Sequence, residues 1–197
     1  MPDREEILQS IYGAVRLARM DRAGMTYFNL TVEGFWRSFF AAVLVVPGYA
    51  IMIGERLAME ERSYDLSWLL LVESTAYVIG WAAFPLAALL LTQLFGLGRY
   101  FVPLIVASNW AAVVQVTVFL AAVLLSLLLP DLLGGLILTL VTGAILFYQW
   151  FVVRTALDTT GGIAFLFVLV DLLLNLVINQ TADSLIWSDA VVDAVSQ

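Results

Sequence analysis

The chain has 197 residues, 62% of them apolar, and a formal charge of −7; its mean hydropathy is +0.98. Soluble domains carry about 45–50% apolar residues, so this composition excludes an ordinary water-soluble globule and makes the bilayer the expected solvent. Cysteine and histidine are absent, which removes disulfides, thiolate nucleophiles, imidazole acid–base work and nearly every zinc site, while the acidic balance without a basic cluster argues against nucleic acid as a partner.

Residues 4–22 read as a helix, because Ile7, Leu8, Ile11, Tyr12, Val15 and Ala18 share one face at 100° per residue. Glu5, Arg16 and Arg19 flank that face, which suits a helix in the membrane interface or docked beneath a bundle. Residues 1–34 are therefore an amphipathic helix and a connector, broken at Gly24. No apolar stretch begins before Phe35, so the first span is expected to act as an uncleaved signal.

Five apolar segments follow, each near or above the ~18 residues that mark a spanning helix. The first covers residues 35–54, with Pro47-Gly48 as a kink, and a charged loop carries Glu55, Glu60, Glu61 and Asp65. Asp65 or Ser67 is the expected N-cap of the second segment, residues 68–95. The third covers residues 101–129 and the fourth 132–156, joined so tightly at Pro130-Asp131 that they must be antiparallel neighbours. The fifth covers residues 163–179, and residues 184–197 form an interfacial tail in which Leu185, Trp187 and Val191 alternate with acids. The expected class is thus an all-α polytopic membrane bundle: residues 35–183 with five transmembrane helices, preceded by the amphipathic helix.

All nine basic residues are arginine, and the absence of lysine points by association to a GC-rich bacterial genome. With the N-terminus inside, Arg4, Arg16, Arg19, Arg22, Arg37, Arg99 and Arg154 are cytoplasmic and only Arg56 and Arg62 are outside. That asymmetry follows the positive-inside rule and predicts a bacterial inner membrane location with a cytoplasmic N-terminus and a periplasmic C-terminus.

Polar residues inside the spans are the candidate site. Asp171 sits midway along the fifth segment, where an acid costs about 2.5–3.5 kcal/mol on insertion scales. Asn175 and Asn179 share its face at i+4 and i+8. Glu73, Gln115, Asn109 and Gln149 complete a sparse ladder that runs to Arg154. Such groups serve either as interhelical glue, with Asp171 bonded to Gln115 or Asn109, or as a proton, ion or small-solute route centred on Asp171. Trp36, Trp68, Tyr100, Tyr148, Trp150 and Trp187 read as interface belts, Trp81 and Trp110 as packing residues, and the pairs Ala83/Ala87 and Ala107/Ala111 as small-xxx-small contacts within or between subunits. No phosphate-binding loop, nucleophile elbow or paired acidic metal motif is present in the sequence, so no catalytic, cofactor-binding or metal residue is assigned and the protein is expected not to be an enzyme.

The run from Tyr148-Gln-Trp150 to Thr160-Gly-Gly-Ile-Ala164 resembles the fourth helix, short turn and fifth-helix start of the Yip1 domain family. The resemblance covers residues 35–179 as a layout and implies an organising or adaptor protein that binds partner proteins or membrane lipids. The acidic, glycine- and proline-containing motif of the trafficking members is missing, so their GTPase-linked role does not carry over. The two functions carried forward are that adaptor, acting through its N-terminal helix and small-residue faces, and a small oligomeric channel or transporter with Asp171 near its route.

Overall fold

A computed structural model describes residues 1–58 and 65–187. Among these residues seven α-helices follow in order: α1 (Arg4–Ala18), α2 (Val32–Ser38), α3 (Phe40–Ala58), α4 (Leu66–Leu94), α5 (Phe101–Ser126), α6 (Asp131–Ala156) and α7 (Gly161–Ile186). Short 3-10 turns at Arg22–Tyr27 and Gly98–Tyr100 connect them. Among the described residues five stretches are long and apolar enough to cross a membrane, the first being α2 and α3 together over Val32–Leu57.

Local signals explain most of the boundaries. Asp3, Thr31 and Asp65 each accept a hydrogen bond from the backbone N–H three residues on, capping α1, α2 and α4. Gly96, at φ 69°, ends α4: its N–H bonds Gln93 O while the Leu97 N–H bonds Thr92 O, the paired geometry of a left-handed C-terminal cap. Pro130 precedes α6, and Gly134 lets α6 approach the end of α5, where a Cβ would stand 3.1 Å from Ser126 O.

The core gathers on α5. Leu104, Ile105, Ala107, Trp110 and Ala111 are buried there against Val152 and Val153 of α6, Phe167 of α7, and Ala14 and Leu17 of α1. Ala107 and Ala111 are fully enclosed within the subunit, so this small-residue pair serves internal packing. A second cluster at the opposite end joins Leu69, Val72 and Ala76 of α4 to Ala182 and Ile186 of α7. Helix α4 lies along α7 and meets α5 only briefly, so a gap opens between the α4–α7 pair and the rest of the bundle.

The N-terminal unit departs from the expected pattern. Helix α1 is docked on α5 and α6 with Ser10, Ala14 and Leu17 buried; Ile7, Ile11 and Ala18 of the expected apolar face pack against the same core, while Leu8 and Tyr12 of that face are exposed. Gly13 lets the turn that follows α1 fold back closely onto it, since a Cβ there would lie 2.7 Å from Gly24 O. Arg16 clamps the turn by donating to Asp21 and to the Tyr27 hydroxyl, and its guanidinium holds the Asp21 carboxyl below the usual carboxylate range. Tyr148, expected in an interface belt, is instead buried beneath α1 and donates its hydroxyl to Ala14 O at 2.9 Å.

Helix α7 continues past residue 179 to Ile186. In these last turns Thr181 and Ser184 bond locally, donating to Val177 O and Thr181 O. The remainder of the expected tail, from residue 188, lies outside the described residues, as do Glu60 and Glu61 of the acidic loop. Glu55 belongs to the last turn of α3, and among the described residues no cluster of three acids could hold a metal ion.

Candidate functional site

The gap beside α4 is a polar cleft of about 280 Å³ inside the span. Helix α7 presents Asp171, Asn175 and Asn179 to it, one residue per turn, because 3.6-residue periodicity keeps i, i+4 and i+8 on one face. Helix α5 contributes Ser108, Asn109 and Gln115, and α6 contributes Gln149. Tyr77 and Trp81 of α4, with Tyr49 of α3, form the aromatic wall. The cleft is open: Asn175 and Asn179 are exposed, whereas Ser108, Asn109 and Gln149 at its base are buried.

Hydrogen bonds assign most of these groups. Gln115 donates to Gln149 Oε1 at 2.7 Å, joining α5 to α6. Asn109 donates to Ser38 Oγ at 2.9 Å, and Ser38 in turn donates to Phe35 O, which fastens the break between α2 and α3 to α5. Tyr77 donates to Ala42 O at 2.5 Å and its ring lies 4.8 Å from that of Tyr49, so α4 is tied to α3 through aromatic side chains.

Asp171 and Ser108 are the two whose partners matter most. Asp171 Oδ1 accepts from Asn175 Nδ2 at 3.0 Å, on its own helix, and the expected bond to Gln115 or Asn109 is not made. Among the described residues the Asp171 carboxylate has no cationic partner. Ser108, 8% exposed, has a hydroxyl without a hydrogen-bond partner among the described residues, although a helical serine can ordinarily bond a carbonyl in the preceding turn.

Glu73 is the sequence candidate that does not line the cleft. It is 5% exposed and forms an ion pair with Arg56 of α3, while Tyr49 donates to its other oxygen at 2.9 Å. Arg56 reaches on to Asp183 of α7 at 2.9 Å, so one guanidinium bridges three helices. Since Tyr49 lines the cleft, this charge cluster abuts one end of it. Arg154 ends α6 over the Trp150 ring, 5.3 Å from its centroid.

Sequence reasoning found Asp171, Asn175, Gln115, Asn109 and Gln149, which the fold brings to one cavity. It missed Tyr49, Tyr77 and Ser108, and it placed Arg56 outside without finding the helix-bridging cluster that Arg56 forms with Glu73 and Asp183. The hydroxyl-bearing residues carried no signal, because a tyrosine or serine in a span is ordinary until a cavity faces it. The chain matches no family model, no curated protein and no solved structure, so its function has to be argued from its own geometry.

Proposed function

We propose that the protein is a small channel or transporter whose route for protons, ions or a small solute passes through the polar cleft, with Asp171 at its centre. The observation that carries this reading is that Asp171, Asn175, Asn109, Gln115 and Gln149 line one open cavity, where the Asp171 carboxylate has no cationic partner and the Ser108 hydroxyl no hydrogen-bond partner among the described residues. Polar groups in a bilayer are costly unless they meet partners or water, and a cleft floored by Ser108, Asn109 and Gln149 and walled by Asp171 offers space that water or a polar solute could fill. The arginines favour an N-terminus-inside orientation in a bacterial inner membrane: Arg16, Arg37, Arg99 and Arg154 belong to elements that meet at the α1 end, whereas Arg56 stands at the other.

Proteoliposome flux tests the proposal. Wild-type protein is expected to pass protons or a small cation, and Asp171→Asn at matched helical content is expected to lose at least about tenfold of that flux, the scale of removing one well-placed charge. Absence of flux in both proteins overturns the reading.

A second reading, an organising protein for partner proteins or membrane lipids, draws on Val32 and Trp36, each 69% exposed at the start of the first span. Membership of the Yip1 domain family would favour it, and cross-linking to a partner or to a second copy of the chain in the absence of flux would select it.

A further inference from the structure

The cleft has the chemistry of a site for an organic cation. We infer that its ligand is a small ammonium compound with an apolar substituent, held between the Asp171 carboxylate and the aromatic wall of Tyr49, Tyr77 and Trp81; the inference rests on the transport reading and names its substrate class.

Charge gives the sign. Asp171 is the charged residue on the cavity wall, and no arginine lines the cleft. The neighbouring acid, Glu73, is already neutralised by Arg56, so its charge does not compete for a ligand. One Asp171 oxygen is held by Asn175, and no hydrogen bond among the described residues occupies the other. A carboxylate inside the span with no cationic partner among the described residues attracts a cation.

Shape and surface give the rest. The Tyr49 and Tyr77 ring centroids lie 4.8 Å apart and the Tyr77 and Trp81 centroids 6.2 Å apart, each pair tilted, so three neighbouring aromatic rings line one wall. Aromatic faces attract ammonium groups and also accept apolar substituents, which a bare metal ion does not exploit. The unpartnered Ser108 hydroxyl at the buried base offers a hydrogen bond to an N–H or hydroxyl of the ligand. A cavity of about 280 Å³ accepts a molecule of roughly ten heavy atoms and excludes large lipophilic dyes.

Calorimetry on the full chain in nanodiscs, with three probes of similar size, decides the matter: phenyltrimethylammonium, neutral tert-butylbenzene and anionic benzenesulfonate. The expected order is cation first, with at least about tenfold weaker binding of the other two. Asp171→Asn, nearly isosteric, should cut cation affinity about tenfold and leave the neutral probe unchanged. Trp81→Leu should cut cation affinity about threefold or more. Equal binding of the cation and the neutral probe, unaffected by Asp171→Asn, overturns the organic-cation assignment. If proteoliposomes nonetheless pass protons or a small neutral solute, the transport reading survives without it. No binding of any probe, together with no flux, removes both.

Discussion

Replacing Glu73 with Gln is expected to destabilise the folded bundle by about 2–3 kcal/mol. Removing one member of a buried ion pair leaves the other uncompensated, at a cost of about 3–5 kcal/mol. Here the cost is reduced because the Arg56 side chain is 45% exposed and keeps Asp183. The Gln side chain can still accept from Tyr49, so the change isolates the charge. Unfolding in mixed detergent–SDS micelles measures it. The double variant Glu73→Gln/Arg56→Gln should lose less than the sum of the two single changes, the signature of a direct coupling. A shift below about 0.5 kcal/mol for Glu73→Gln would mean that this cluster does not hold α3, α4 and α7 together.

The second large effect is expected at Gly34. A Cβ there would lie 2.0 Å from the backbone oxygen of Asn29, and a backbone atom cannot rotate away as the end of a side chain can. The Asn29 segment is also pinned: its side chain donates to Glu6 at 3.0 Å and accepts from the Thr31 hydroxyl at 2.7 Å. Thr31 in turn caps Gly34 itself. Gly34→Ala must push the connector outward and with it the Glu6–Arg37 ion pair, 2.8 Å long, that links α1 to α2. Overpacking of this kind costs about 1–3 kcal/mol, and the upper end applies because the obstacle is backbone. Limited proteolysis between residues 19 and 31 is expected to become at least several-fold faster, while α4–α7 stay protected. An unchanged cleavage pattern would show that the connector can yield without strain.

The spans were legible in the sequence because a bilayer demands long apolar runs and five were present. Asp65 as the cap of α4 and the tight α5–α6 turn were legible for the same local reason: their chemistry acts within a few residues. The docking face of α1 was legible only in part: Ile7, Ile11 and Ala18 pack against the core, whereas Leu8 and Tyr12 are exposed and Ser10 and Ala14 are buried in their place. For the candidate site, helical periodicity revealed Asp171 with Asn175, but not what faces them. The Arg56–Asp183 contact spans 127 residues of sequence, and no periodicity reports a pairing at that range. Tyr49 and Tyr77 likewise became cleft residues only once α4 was seen to leave α5 for α7.

The adaptor and transport readings diverge on one physical property, the water content of the cleft. A buried pairing site excludes solvent, whereas a route must admit it. The sequence contains no cysteine, so single cysteines report on this without background. The most direct measurement is the rate at which a charged, membrane-impermeant thiosulfonate labels Asn175→Cys and Gln115→Cys in liposomes, against Leu136→Cys and Leu140→Cys on the exposed apolar surface of α6. Thiolates form and react in water and are suppressed in hydrocarbon. Labelling at positions 175 and 115 at least about tenfold faster than at 136 and 140 is the result a hydrated cleft predicts. Equal, negligible labelling at all four positions would contradict it.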